Sequence, residues 1–538
     1  MCGIFAILNN ISQYIKKEFI IEQFQKGKSR GPDDSNILDL YIMNCMLGFH
    51  RLSINGLTKN SNQPFYIENI FLICNGEIYN YKELYQLLDI EPTTESDCEV
   101  IIHLYLQYGM EQTIRMLDGE FSFILIDTRI SLKKMYIGRD PYGVRPLYML
   151  YSNTKLDEIH GFSSEVKQLS EIQKSLNNDY IITHFPPGTL SLYENYTIEY
   201  NSSEIWRFCE TIKYHNNLFS FHSLYTQDLN IYENIREYLI SAVVKRCKCS
   251  ERPIACLLSG GLDSSLIASI AKQYTEIETF SIGFANSEDL RMARKVADHI
   301  KSKHHEVIIT KEEYLEAIPI VIQAIESYDT TTVRASVGNY LVAKYIASVS
   351  DAKVILNGDG ADELCGGYLY MHKCPNALEF DKETRRLLSN IHYFDVLRSD
   401  KSIASNGLEA RTPFLDLHFV QYYLSINPTV RFPKGTEKLL LRSAFKDTGL
   451  LPDEILWRRK EAFSDGVTVD SIVDIIHSHV KDLDLPLMKV FPLPKSQEEK
   501  YYRKIFEEYY SNAKIIPHFW KPKFVEDIDP SARALDIY

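Results

Sequence analysis

No run of apolar residues in this chain approaches the 18 or so that a membrane-spanning helix needs. Ten cysteines occur, at 2, 45, 74, 98, 209, 247, 249, 256, 365 and 374, yet no two are spaced Cys-x-x-Cys. That absence argues against a zinc ribbon and against a thioredoxin-type redox pair. Most of these cysteines sit in apolar runs, such as Ala255-Cys256-Leu257, and read as small buried hydrophobes in a reducing compartment. A surplus of basic charge is missing too: 59 Lys and Arg face 72 Asp and Glu, for a net charge of −13. Nothing in that balance favours duplex nucleic acid, although one local pocket for a small anion stays open. With only 24 Gly and 20 Pro in 538 residues, collagen-like and low-complexity chains are excluded. The opening residues Met1-Cys2-Gly3-Ile4-Phe5 lack the basic flank and long apolar stretch of a secretory signal. The closing residues Ala534-Leu535-Asp536-Ile537-Tyr538 match no lipidation or peroxisomal address. The expectation is a soluble cytoplasmic enzyme without internal repeats.

What the chain does have is 45% hydrophobic residues, enough for more than one core. Residues 2–190 read as short strands, among them Ile70–Cys74, Phe121–Ile126 and Lys134–Gly138, which predicts packed sheets. Within them Ser96-Asp97-Cys98-Glu99 has the form of a capping box ahead of the apolar run Val100–Leu104. From 191 to 229 periodicity is lost, and a linker is expected. Over 230–538 helical stretches (Ile231–Val244, Leu266–Tyr274, Tyr340–Val349) alternate with β runs at Ile254–Leu258, Thr279–Ile282 and Val354–Leu356. That alternation predicts a doubly wound parallel sheet, with ligands at the carboxyl ends of its strands.

Cys2 is the first candidate for chemistry. If Met1 is removed, one residue carries a thiol and a free α-amine whose ordinary pKa of about 7.7–8.0 suits a base. A buried cysteine opening a strand is an equally good reading of position alone. His50-Arg51-Leu52-Ser53-Ile54 offers a guanidinium for a carboxylate, or merely a surface charge. Asn75-Gly76-Glu77 offers an amide and a backbone N–H for an oxyanion hole, or a hairpin turn. Asp97 offers an ammonium partner, or a helix cap. Jointly these groups complement glutamine.

Met1-Cys2-Gly3-Ile4, Arg30-Gly31-Pro32-Asp33, His50–Ile54, Asn75-Gly76-Glu77-Ile78-Tyr79-Asn80 and the run Gly138–Tyr148 resemble the class II glutamine amidotransferase pattern. The resemblance implies an N-terminal-nucleophile sandwich of antiparallel sheets with flanking helices, which hydrolyses glutamine through Cys2. It further implies glutamine contacts along Arg51, Leu52, Ser53, Ile54 and Asn55, at Asn75, Gly76 and Glu77, and at Asp97. Asn75 and Gly76 would form the oxyanion hole.

In the second half, Leu257-Leu258-Ser259-Gly260-Gly261-Leu262-Asp263-Ser264-Ser265 follows a β run and opens a helix. Paired glycines and a helix N-terminus suit an anion. No Gly-Lys-Ser/Thr is present, so this is not a γ-phosphate transfer loop. The motif is similar to the pyrophosphate loop of ATP pyrophosphatases of the adenine-nucleotide α-hydrolase type. Tyr328–Ser336, Gly366–Lys373, Glu409–Asp416 and Arg459–Val467 extend the resemblance to the glutamine-hydrolysing asparagine synthetase family. What this implies is that Leu258 and Ile282 border adenine, while Ser259, Gly260, Gly261, Ser264 and Ser265 hold pyrophosphate. Asn357 and Gly358 would also touch ATP, and Asp263 and Asp362 would share Mg²⁺. Arg334 and Lys460 would offset phosphate charge, Arg334 also standing near the aspartate, with Lys460 and Asp359 catalytic. Ammonia would pass between the domains to a β-aspartyl-AMP, and a homodimer fits the same resemblance.

One departure stands out. The family usually reads Ser-Gly-Glu-Gly-Ser-Asp-Glu where this chain has Asn357-Gly358-Asp359-Gly360-Ala361-Asp362-Glu363. Asp359 is one C–C bond shorter, and a misplacement of ~1 Å can cost roughly 10²-fold in rate. The rivals are an amide ligase for another carboxylate and a homologue that binds without turnover. His304-His305-Glu306 reads as a strand start and His477 and His479 as non-ligands, while 495–504 reads as a solvated helix face.

Overall fold

The computed structural model describes residues 1–11, 14–152, 158–176, 179–197, 204–217, 230–433, 435–460, 472–486, 488, 490–510 and 513–525. The part of the Arg459–Val467 motif beyond Lys460 lies outside the described residues. Two compact units emerge. The first is Met1–Asn216 together with Ala404–Leu408 and Glu507–Ile515; the second holds Asn217–Ile403, Glu409–Phe506 and the chain from Ile516 on.

The first unit contains two six-stranded antiparallel sheets. One is ordered β10 (Tyr180–His184), β8 (Tyr148–Ser152), β9 (His160–Ser163), β1 (Gly3–Leu8), β3 (Cys45–Arg51) and β2 (Asp34–Leu40). The other is ordered β12 (Glu204–Lys213), β11 (Thr189–Thr197), β7 (Lys134–Arg139), β6 (Gly119–Asp127), β5 (Ile70–Ile78) and β4 (Phe65–Ile67). Period-two alternation explains the layering. Ile4, Ala6 and Leu8 of β1 share one core with Ile73 of β5 and Ile124 and Ile126 of β6. The intervening residues Leu72, Cys74, Phe121, Phe123 and Leu125 join a second core with Val100, Ile101 and Leu104 of the helix Val100–Tyr108. Strands buried on both faces read as continuous apolar runs, and these do.

Three local expectations are corrected. Residues 191–197 and 204–213 are not a linker: they belong to β11 and β12 of the second sheet, while 198–203 and 218–229 lie outside the described residues. β12 is mostly exposed, so it carries little of the apolar signal that marks a strand. Ser96 does cap, accepting from Cys98 N–H at 3.3 Å, but no capping box forms. Glu99 turns instead to Thr93, Thr94 and His103. Asn75-Gly76 lies within β5 rather than in a hairpin turn.

The second unit is built on a five-stranded parallel sheet, ordered β15 (Lys303–Ile308), β14 (Ile277–Gly283), β13 (Ile254–Leu257), β16 (Val354–Leu356) and β17 (Glu409–Arg411). The order reverses at β13, so the loops after β13 and β16 flank a topological switch point, where such sheets bind ligands. Helices Leu262–Tyr274, Glu288–Ile300 and Thr330–Val349 pack on it. His304 lies in β15, its ring bonded to Thr279 and Ser281 hydroxyls. The charged run 495–504 is only half solvated. In helix Gln497–Tyr509, Glu498, Tyr502 and Phe506 fall on one buried stripe. No helix among the described residues is long and apolar enough to cross a membrane.

Candidate active sites

In the first unit, β1 and β3 pair with Gly3 opposite His50, which brings Cys2 beside the end of β3. The Cys2 Sγ lies 3.4 Å from Leu52 N and 3.6 Å from Leu52 O. Arg30 Nε donates to Cys2 O at 2.9 Å and is itself fixed by Glu165, 2.8 Å away. The Ser164 hydroxyl then joins two strands: it accepts from Ile4 N at 3.0 Å and from Asn75 Nδ2 at 3.4 Å. Asn75 is fully buried, and its Oδ1 has no hydrogen-bond partner among the described residues. Gly76 follows because β6 leaves no room: a Cβ there would lie 2.3 Å from Glu120 O.

Of the remaining candidates, Asn55 and Asp97 meet the end of β5. Asn55 Nδ2 donates to Glu77 Oε2 at 2.6 Å, and Asp97 Oδ2 accepts from Ile78 N at 2.7 Å. Ser53 N donates to Asp33 Oδ2 at 2.8 Å, while Leu52 and Ile54 are buried. Arg51 is not the surface charge its bland reading allowed. It is buried and donates to Gly56 O, Thr58 O and Asn62 Oδ1, clamping the loop that carries Ser53 and Asn55.

In the second unit a cavity of about 250 Å³ opens at the switch point. Leu258, Ser259, Gly261, Asp263, Ser264, Ile282, Asn357 and Gly358 line it, with Arg334, Asp359, Asp362 and Lys460. Two predicted residues do not line it. Gly260 is buried against the helix Glu288–Ile300, and Ser265 is buried in its own helix. The loop is ordered by its own hydroxyls: Ser264 Oγ meets Ser259 N at 3.2 Å and Ser259 Oγ at 3.0 Å, and Ser259 Oγ accepts from Gly261 N.

Charge in the cavity is arranged in two groups. Asp263, Asp362, Lys438 and Lys460 interlock, with Lys438 Nζ 2.5 Å from a carboxylate oxygen of each aspartate and Lys460 Nζ 2.7 Å from Asp362. Burial would push the Asp362 carboxyl up, but the two ammoniums outweigh it and hold it well below the usual range. Opposite them, Arg398 binds Asp359 at 2.8 Å and Asp395 at 2.9 Å, and Tyr368 OH donates to Glu363 at 2.5 Å. Burial raises Asp359 against the pull of Arg398. Burial and the neighbouring Asp395 raise Glu363 well above an ordinary carboxyl. Arg334 lines the cavity, yet its guanidinium forms a bidentate pair with Glu498, at 2.8 and 2.6 Å.

Sequence reading missed Lys438, Arg398, Asp395 and Glu498. Asp395 and Arg398 are three apart on one helix, a spacing that puts them on one face. Glu498 sits on the helical stripe with Tyr502 and Phe506. For Lys438 no sequence signal existed.

Comparison with known proteins matches residues 1–198 to a glutamine amidotransferase domain. Residues 234–381 and 373–522 match the asparagine synthase family. The class is therefore a glutamine amidotransferase joined to an ATP-using amide synthetase. Asparagine synthetases (glutamine-hydrolyzing) of Cricetulus griseus, Gallus gallus and Homo sapiens are 42%, 41% and 41% identical, each over 100% of this chain and 99% of their own. The chain belongs to the glutamine-hydrolysing asparagine synthetase family. Among solved structures an NMN synthetase from Francisella tularensis is 12% identical over 53% of this chain and 97% of that one, at a TM-score of 0.27. That likeness is too faint to add anything.

Proposed function

We propose that the protein makes L-asparagine from L-aspartate, ATP and L-glutamine with water, releasing AMP, pyrophosphate and L-glutamate. In the first unit Cys2, freed of Met1, attacks the glutamine side-chain carbonyl with its own α-amine as base. Asn75 Nδ2 and Gly76 N–H steady the oxyanion. Ammonia leaves, and water releases glutamate from the thioester. Glu77 and Asp97 are the carboxylates available to the substrate ammonium. Arg51 both orders the loop Leu52–Asn55 and offers positive charge to the substrate carboxylate.

In the second unit adenine lies between Leu258 and Ile282, and the pyrophosphate portion lies on Ser259, Gly261 and Ser264. Asp263 Oδ1 is buried without a hydrogen-bond partner among the described residues, and Asp362 supplies a second carboxylate in the same cavity. That donor set fits Mg²⁺, which prefers oxygen ligands and phosphate-bound sites. Bound there, Mg²⁺ would offset phosphate charge. Aspartate then displaces pyrophosphate through its β-carboxylate, and ammonia displaces AMP from the acyl-adenylate. Asp359, positioned by Arg398, faces this chemistry with its carboxylate intact, and Lys460 neutralises departing phosphate charge. All ten cysteines are free, which fits a reducing, cytoplasmic setting.

The observation that carries the synthetase reading is the paired Asp263 and Asp362 beside a serine-lined anion loop at the switch point. Aspartate-dependent pyrophosphate release with ATP and Mg²⁺ tests it. Release that needs aspartate and yields asparagine is expected. Release with another carboxylate alone, or none with any, overturns it.

A further inference from the structure

Lys438 opens the short helix Leu439–Phe445 from the left-handed region, with φ 54°, and its side chain is 1% exposed. Its ammonium hydrogen-bonds Asp263 Oδ2 at 2.5 Å. It makes an ion contact of equal length with Asp362 Oδ1. Lys460 takes the other oxygen of Asp362. Two carboxylates thus meet two ammoniums, and the cluster is neutral before any ligand enters.

The backbone has closed around this arrangement. A Cβ on Gly367 would lie 1.9 Å from Asp362 Oδ1 and 2.1 Å from Lys438 Cε, so no larger residue fits. A divalent cation drawn to these oxygens would need them at roughly 2.0–2.1 Å. An ammonium bridging the same two aspartates occupies the ground between them. Metal and Lys438 cannot both hold Asp263 and Asp362 as they stand.

We propose that Lys438 is a resident counter-ion: it holds Asp263 and Asp362 in register and keeps divalent metal out until nucleotide arrives. The incoming phosphates give its ammonium a new anionic partner, and the two carboxylates pass to the metal. The inference rests on the nucleotide-site reading above. Its consequence is an order of binding, in which metal enters with or after nucleotide and not before.

Mn²⁺ binding followed by electron paramagnetic resonance tests the inference on the full chain. In the parent, one Mn²⁺ should bind weakly without nucleotide and at least about 10-fold tighter with α,β-methylene-ATP. Lys438→Met removes the charge at similar length, so nucleotide-free Mn²⁺ affinity should rise at least about 10-fold. Lys438→Arg keeps a cation in place and should behave as the parent. Unchanged Mn²⁺ affinity in folded Lys438→Met overturns the proposal. So does a parent that binds one Mn²⁺ equally well with and without the analogue, a result that stands even if the Met variant fails to fold. Equilibrium dialysis of the analogue with excess Mg²⁺ separates the two readings: no binding at all rejects the nucleotide site, while binding without the Mn²⁺ pattern rejects only Lys438.

Discussion

Asp359 departs from the family pattern but keeps a carboxylate held in place by its neighbours. Its carboxylate already reaches Arg398 at 2.8 Å, and its backbone N–H is held by Asn357 Oδ1 at 3.2 Å. Asn357, another departure, donates in turn to Ser399 Oγ. The loop therefore carries its own bracing for the shorter side chain. Asp359→Asn keeps shape but removes the anion beside Arg398, and pyrophosphate release should fall by about 10²-fold. Asp359→Glu should stay within about tenfold of the parent, since the extra methylene can extend into the cavity; a dead Glu variant beside an active parent would show that the bracing demands the shorter arm. Cys2, Arg51 and the serine loop were legible in the sequence because each lies in a compact run of unusual residues. Lys438 was not, since it meets Asp263 from 175 positions away and nothing around it marks the encounter.

Among the elements, the loop Ser259–Gly261 depends on how closely the helix Glu288–Ile300 approaches it. Gly260 has φ +70°, and a Cβ there would lie 2.4 Å from Met292 Cβ, on the helix Glu288–Ile300. Gly261 has an ordinary φ of −79° and only Ser259 Oγ near, at 3.3 Å. Gly260→Ala should therefore cost about 1–3 kcal/mol and weaken ATP binding, whereas Gly261→Ala should be milder on both counts; denaturant unfolding and nucleotide titration read the contrast. Strand β3 carries a different liability. Burial drives its His50 from the ordinary 6.5 down to about 4, with the ring wedged between Phe24 O and Ser35 Oγ. A folded value below the unfolded one means that stability is intact above about 6.5 and drains as pH falls toward 4. His50→Gln should flatten that part of the acid-denaturation curve relative to the parent, and an unchanged curve would place the acid sensitivity elsewhere. Buried strands and the β–α alternation announced these elements through period and turn residues. The edge strand β12 did not, because exposure erases the alternation that marks a strand.

For the molecule as a whole, two chemistries on separate units predict separable loss. Cys2→Ala should abolish glutamine-supported asparagine synthesis and leave ammonium-supported synthesis near the parental rate, measured as product formed with each nitrogen donor. Equal loss with both donors would contradict two independent sites. The sequence changes character near residue 230, whereas the two compact units divide after Asn216, and their membership left no sign in the sequence. Ala404–Leu408 and Glu507–Ile515 complete the first unit. Within it Ser170 Oγ donates to Tyr509 O, Ala513 bridges Ile182, and the Met1 amine donates to Leu408 O. Such long-range partners leave no local trace in composition. They do impose a timetable on synthesis. A ribosome adding about 5–20 residues per second finishes Asn216 some 15–60 s before Ile515. Through that interval the nascent sandwich lacks its last segments, and the Met1 amine lacks the carbonyl that later covers it. A fragment ending at residue 216 should stay permanently in this half-finished state, more readily cleaved by protease than the same residues in the full chain.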